Sequence, residues 1–176
     1  MEFSNLQFVK LTSDTPIPPF KCIDKDLNDF LVDDAKEGLN ELMSVTYLLV
    51  DVSANKTVAY YTLLNDKVAY DPNNKSIWNR INRHIRNKKR RKTYPSMKIG
   101  RLAVSEEYAG MGLGTEIIKL VKYTLITNPI AGCRFLTVDA YSCAIDFYKK
   151  NGFEFFTMLD AIDSTRLMFF DLKSIK

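Results

Sequence analysis

Met97-Lys98-Ile99-Gly100-Arg101-Leu102-Ala103-Val104-Ser105-Glu106-Glu107-Tyr108-Ala109-Gly110-Met111-Gly112-Leu113-Gly114 decides the fold. The stretch reads as a buried strand over 97–104, a tight glycine-rich turn, and a helix that begins at Gly114. Gly110, Gly112 and Gly114 alternate where turn meets helix. Glycine accepts backbone angles that other residues resist and lets a ligand approach closely. The first turn of the following helix leaves its N–H groups without partners. Together these features form a seat for a phosphate or pyrophosphate. A turn of this kind is also found as simple punctuation between strand and helix. It is not a Walker loop, because no Lys-Ser or Lys-Thr pair follows Gly114. Nor is it the dinucleotide fingerprint, whose third glycine comes one residue later.

Periodicity outlines the remaining elements. Leu6–Leu11 reads as a short strand, broken by Thr15-Pro16-Ile17-Pro18-Pro19. Asp24–Leu39 has apolar residues at three- and four-residue steps and reads as a helix capped by Asp24 or Asp26. Val45–Val52 and Thr57–Leu64 flank Ser53-Ala54-Asn55-Lys56 and predict a hairpin. A helix follows over Gly114–Ile126, then a strand over Phe135–Asp139 and a helix capped by Ser142 that ends near Asn151-Gly152. Glu154–Met158 and Arg166–Leu172 read as the last strands. The expected class is α/β, with a mixed sheet and helices around it, in one domain spanning 1–176.

Two pieces of sequence then carry a resemblance. They are Gly100–Val104 with the turn Ala109–Gly114, and Ala144-Ile145-Asp146-Phe147-Tyr148-Lys149-Lys150-Asn151-Gly152-Phe153. The second follows an A-x-x-F-Y-x-x-x-G-F signature at the right distance from the turn. In both the chain resembles the GNAT superfamily of N-acetyltransferases, which move acetyl from acetyl-coenzyme A to an amine. The resemblance implies a central sheet splayed between two parallel strands, and acetyl-CoA as cofactor. It implies pyrophosphate held by the amides of Ala109, Gly110, Met111, Gly112, Leu113, Gly114 and Thr115. Leu102, Ala103 and Val104 then line the strand edge that pairs with pantetheine. Ala109 stands where the family usually has Gln or Arg, so that side chain is lost while the amides remain. A family asparagine is replaced by Tyr141, and its role is not carried over.

Length and composition fit one globular domain: 176 residues, 46% of them hydrophobic. No apolar stretch approaches membrane-spanning length, and the N-terminus lacks a signal-peptide pattern. Cys22, Cys133 and Cys143 have no metal or redox spacing. They read as reduced thiols of a cytoplasmic protein. His84 is the one histidine and sits among arginines, which leaves neither a Cys–His pair nor a zinc ligand set.

Charge is distributed unevenly. Residues 1–74 hold six Lys/Arg and twelve Asp/Glu, whereas 75–92 hold nine Lys/Arg and no acid. Ile77, Ile81 and Ile85 are four apart, so the segment reads as an amphipathic helix docked by an isoleucine edge. The insertion spans about 66–95. Its Arg80, Arg83, Arg86 and Lys88-Lys89-Arg90-Arg91-Lys92 stay solvated. A solvated face explains many such runs. Nine unanswered charges also repel one another, and a polyanion relieves that repulsion. Nucleic acid is the leading candidate.

Phe20-Lys21-Cys22, Asp26-Leu27-Asn28-Asp29-Phe30-Leu31, Ala59-Tyr60-Tyr61-Thr62-Leu63 and Tyr94-Pro95 narrow the resemblance. In these the chain is similar to the toxin-type GNAT acetyltransferases of bacterial toxin–antitoxin pairs. That similarity implies acetylation of the α-amine of aminoacyl-tRNA and a small antitoxin partner. Phosphate contacts would come from Arg83, Arg86, Lys89, Arg90, Arg91 and Lys92. The stretch 66–93 fits these relatives less well, being longer and more basic.

Acetyl transfer needs a neutral amine, donors for the oxyanion and a proton for the leaving thiolate. Tyr148 is the candidate general acid, with Phe147 beside it as packing. Asp139 is a lesser candidate for orienting the amine, and Glu106 and Glu107 read as exposed turn residues. Three functions stay open. One is the aminoacyl-tRNA acetyltransferase. The second is a GNAT enzyme for a small-molecule amine, peptide N-terminus or protein lysine, its basic helix serving the surface or a homodimer. The third is a nucleic-acid-binding module on a degenerate scaffold.

Overall fold

The structure is a computed structural model that describes residues 5–86, 91–129, 131–157 and 160–175. Its strands are β1 (Leu6–Lys10), β2 (Val45–Asp51), β3 (Lys56–Ala69), β4 (Thr93–Val104), β5 (Phe135–Tyr141), β6 (Glu154–Phe155) and β7 (Thr165–Asp171). They form one seven-stranded sheet in the order β1-β2-β3-β4-β5-β7-β6. The β4–β5 pair is parallel, while β1–β2, β2–β3, β5–β7 and β6–β7 are antiparallel. The mixed α/β architecture is the one expected.

The chain divides into two compact units, the first comprising Met1–Asn65 and Ile99–Val121. Here β1, β2 and most of β3 form a meander with Phe8 opposite Leu49 and Leu48 opposite Tyr60. Asp51 closes the β2–β3 turn by accepting from the amides of Ser53 and Ala54. Asp24 caps α1 (Lys25–Asp29), its carboxylate accepting from the Asp26 amide at 2.9 Å. The helix continues through a π-helical segment, Phe30–Asp34, into α2 (Ala35–Asn40). Leu31 and Ala35 are fully buried there, in a core shared with Leu11, Leu48, Tyr60 and Ala103. The phenol of Tyr60 donates to the carbonyl of Leu27 at 2.6 Å, so the aromatic core also carries one polar tie to α1.

The second unit comprises Asp66–Lys98 and Lys122–Lys176. The segment expected as a long basic helix is shorter: β3 runs on to Ala69, α3 covers only Lys75–Arg83, and β4 begins at Thr93. Ile85 lies beyond the helix end. The anchor that hydropathy spacing missed is Trp78, which is 7% exposed. Its indole stacks on Tyr94 at 5.3 Å and meets Tyr70 edge-on at 5.6 Å. Tyr94 in turn donates to the Asn82 side chain at 2.6 Å. Val68, Ile81, Phe135, Phe156 and Phe169 complete this core. An indole offers far more apolar surface than an isoleucine, so Trp78 dominates the docking of α3.

The helix after β5 also differs from expectation. A 3₁₀ turn, Ser142–Ala144, precedes α5 (Ile145–Lys150), and Ser142 makes no side-chain cap. The other long helix, α4 (Leu113–Thr127), starts one residue earlier than its glycine. The expected strand Glu154–Met158 is formed at Glu154–Phe155, and Met158 lies outside the described residues. Among the described residues no helix is long and apolar enough to cross a membrane.

Candidate active site

In the first unit, β4 leads into a 3₁₀ turn, Glu106–Tyr108, and then into the glycines. Gly110 and Gly112 have φ of +75° and +84°, and a Cβ on either meets nothing within 4 Å. These glycines are therefore required by backbone conformation, not by crowding. The space above them is open. Among the described residues, the amides of Gly110, Gly112, Leu113, Gly114 and Thr115 find no backbone acceptor. Two turn amides are already engaged, Ala109 by the Glu106 carbonyl and Met111, at 3.4 Å, by that of Tyr108. So of the seven residues expected to hold pyrophosphate, five offer free N–H groups. They sit at the positive end of a 15-residue helix.

The turn is braced from below. Glu106 pairs with Lys21 and Glu107 with Lys56, at 3.2 and 2.8 Å. Tyr108 donates to Asp51 at 3.2 Å. Glu106 and Glu107 thus sit in the exposed turn and anchor it. Along β4, Ala103 is buried in the α1–α2 core, whereas Leu102 and Val104 are half-buried. Gly100 is a packing glycine, because a Cβ there falls 2.6 Å from Leu64 Cδ2.

In the second unit, Tyr148 lies on α5 with its ring 5.3 Å from Phe153 and 5.1 Å from Phe147. The ring is 6% exposed, and burial pushes its phenol above the ordinary tyrosine range. The group therefore remains protonated at neutral pH. Its hydroxyl has no hydrogen-bond partner among the described residues. Nor is it one of the buried unpartnered atoms, which are Ser96 Oγ, Arg101 Nε and Arg134 Nε. The phenol oxygen is thus not fully enclosed, while the ring is held by aromatics.

The end of α5 shows why the sequence runs Tyr-x-x-x-Gly-Phe. Gly152 takes φ of +80°. Its amide donates to the Lys149 carbonyl at 2.9 Å, and the Phe153 amide donates to that of Tyr148 at 3.0 Å. This is a Schellman stop, with glycine in the left-handed position and a hydrophobic residue after it packing back on the helix. Tyr148 is the residue on which both the backbone bond and the aromatic contact fall.

Asp139 is not a free base. Lys98 donates to it at 2.8 Å and lies 3.8 Å from Asp66, which in turn accepts from Thr137 at 2.6 Å. On α3, Arg80 is answered from a distant stretch of sequence by Glu154 at 2.7 Å. This corrects the expectation that no acid meets the basic run. Arg83, Arg86, Arg91 and Lys92 are exposed and make no ion pair among the described residues. Lys88, Lys89 and Arg90 lie outside the described residues. The three thiols are free, and no cluster of metal ligands occurs among the described residues.

A sequence family described as acetyltransferase (GNAT) domain matches residues 68–155, half of the chain. No curated protein matches it in sequence. Among solved structures, AtaTR bound with acetyl-CoA is similar, with TM-score 0.72 and 25% identity over 97% of this chain and 96% of that one. AtaT complexed with acetyl-methionyl-tRNAfMet gives TM-score 0.71 and 24% identity over 97% and 96%. A mutant of KacT gives 0.72 and 22% over 98% of each chain.

Proposed function

We propose, for a chain that belongs to the GNAT acetyltransferase family, that it transfers acetyl from acetyl-CoA to the α-amine of aminoacyl-tRNA. The observation that carries the reading is the open glycine turn with its five unpaired amides. Those amides, at the head of α4, would hold the pyrophosphate of acetyl-CoA. Leu102, Ala103 and Val104 would offer the β4 edge to pantetheine, as an added strand pairs with a sheet. Acetyl-CoA supplies an activated thioester.

The chain's own contribution to the chemistry is small and specific. Tyr148 holds a proton at its hydroxyl and gives it to the departing sulfur. A phenol this weak transfers its proton fully only when it regains one, and the ammonium formed by attack has one to lose. An α-amine titrates near ~8 and a lysine amine near ~10.4, so only the former is substantially neutral at working pH without a base. Asp139 and Asp66 are already engaged by Lys98 and Thr137, which supports the substrate that needs least help.

Arg83, Arg86, Arg91 and Lys92, continued by Lys89 and Arg90, would meet RNA phosphates. The tRNA complex of AtaT supports tRNA as the partner, and the exposure of these four residues supports their role. The complexes of AtaT with AtaR and of KacTA with DNA support a small antitoxin partner of the same kind. The reading puts the protein in the cytoplasm, where aminoacyl-tRNA is found, and takes residues 1–176 as one functional domain built from the two units. The test is acceptor competition, with acetyl-CoA and equal concentrations of aminoacyl-tRNA, an amino-acid ester and a lysine peptide. The reading expects the tRNA to be acetylated at far lower concentration than the ester, and the peptide least. Preference for the peptide would overturn it.

A further inference from the structure

Lys122 on α4 is a lysine in an unusual place. It is 8% exposed. Its ammonium sits 3.4 Å from the centroid of the Phe170 ring and 5.1 Å from that of Phe153, and it donates to the Asn151 carbonyl at 2.5 Å. It makes no ion pair among the described residues. A buried ammonium without a carboxylate is costly to keep, and aromatic faces with one carbonyl are a modest compensation. Burial accordingly pushes Lys122 down to about 8. A perturbed group of this kind, buried among aromatics and bonded to a helix end, marks a candidate functional position.

What it holds can be followed atom by atom. Asn151 is the C-cap of α5, where helix carbonyls point out unsatisfied and the dipole is negative. The cation is therefore placed where a helix end wants one. Phe170, under the ammonium, is also the side chain that crowds Gly152, with Cε2 3.1 Å from the position of a Cβ there. Phe153, the second aromatic beside the ammonium, packs on the Tyr148 ring and bonds the Tyr148 carbonyl. Lys122 thus touches the residues on either side of the glycine that stops α5, and Phe170, which packs on that glycine. A six-residue helix has little stability of its own, so its end is set by such contacts.

We propose that Lys122 is the positioning residue for Tyr148, fixing through Asn151, Phe153 and Phe170 the helix end from which the phenol projects. The inference rests on Tyr148 being the proton donor. It adds a residue from α4 that takes no part in the reaction itself.

The experiment is a double-mutant cycle on acetyl transfer. Lys122→Met keeps length and apolar volume and removes the charge and the donor. It is expected to lower kcat about 10- to 100-fold and to leave KM for acetyl-CoA within a factor of about two. In a Tyr148→Phe background the same change should cost almost nothing, because the group it positions is gone. Lys122→Arg, which restores a cation and a donor, should recover part of kcat. Should Lys122→Met fail to fold, Lys122→Leu takes its place, likewise removing both the charge and the donor to the Asn151 carbonyl. Normal kcat in the folded Lys122 variant overturns the proposal. So does an equal loss in the wild-type and Tyr148→Phe backgrounds. Normal turnover by Tyr148→Phe alone overturns the Tyr148 assignment first, and that outcome is distinguishable from the other two.

Discussion

Gly112→Asp is the perturbation whose magnitude the structure allows to be worked through. The residue adopts φ of +84°, and a Cβ there has no neighbour within 4 Å. No clash therefore accompanies the substitution, and the conformational cost of a left-handed L-residue is about 1–2 kcal/mol. For a chain of 176 residues that lowers the melting temperature by roughly 2–8 °C. Binding is affected separately. A carboxylate about 5 Å from a phosphate charge, at an effective dielectric between ~20 and ~80, is repelled by roughly 1–3 kcal/mol. That weakens acetyl-CoA about 5- to 150-fold, and added salt should shrink the penalty. Gly132→Asp is the control, since Gly132 is also open but has no positive φ. Calorimetric titration with acetyl-CoA, beside melting curves with and without it, reads both effects. If Gly112→Asp binds acetyl-CoA as tightly as wild type, the turn does not seat the pyrophosphate. Equal weakening by Gly132→Asp would mean that only global charge matters.

Three further outcomes follow from other parts of the molecule. Lys122 has a depressed pKa in the folded chain, about 8 against an ordinary 10.5, so the unfolded state binds the extra proton between those values and stability rises with pH there. Lys122→Met should lose that rise, its stability relative to wild type falling by roughly 2 kcal/mol between pH 7 and pH 10 in denaturant titrations; a pH-independent difference contradicts the buried cation. Beyond about pH 10 the buried phenols of Tyr60, Tyr61 and Tyr148, all raised by burial, turn the slope downward in both proteins. Trp78→Ala should cost about 3–5 kcal/mol and detach α3; a melting curve within 1–2 °C of wild type would show that α3 is held otherwise. Serine in place of Lys88, Lys89, Arg90, Arg91 and Lys92 should weaken tRNA binding and flatten its salt dependence by close to one unit of log–log slope per lost phosphate contact, and unchanged filter binding would leave these residues as a solvated face.

The strand–turn–helix around Gly110–Gly114 was legible because its signals are local: a β-branched and aliphatic strand, glycines at left-handed positions and an apolar helix. The Tyr148–Phe153 pattern was legible for a related reason, since a Schellman stop fixes which residue follows the glycine and what it packs on. The basic segment is less legible. Isoleucine spacing suggests a long helix, but α3 ends at Arg83, and its main anchor, Trp78, packs on Tyr94 of β4, a contact that periodicity does not show. Long-range partners were invisible to any window of sequence. Glu154 reaches Arg80, and Lys98 pairs with Asp139. In sequence Lys122 is one of two lysines on α4, and only tertiary packing places it over Phe170.

The most direct test is single-turnover acetyl transfer from labelled acetyl-CoA to aminoacyl-tRNA, with wild type beside Tyr148→Phe. The account predicts label on the α-amine with wild type, and a rate about 10²–10⁴-fold lower with Tyr148→Phe at unchanged acetyl-CoA affinity. No label on aminoacyl-tRNA with a wild-type protein that binds acetyl-CoA would contradict the substrate, and an undiminished rate with Tyr148→Phe would contradict the proton donor.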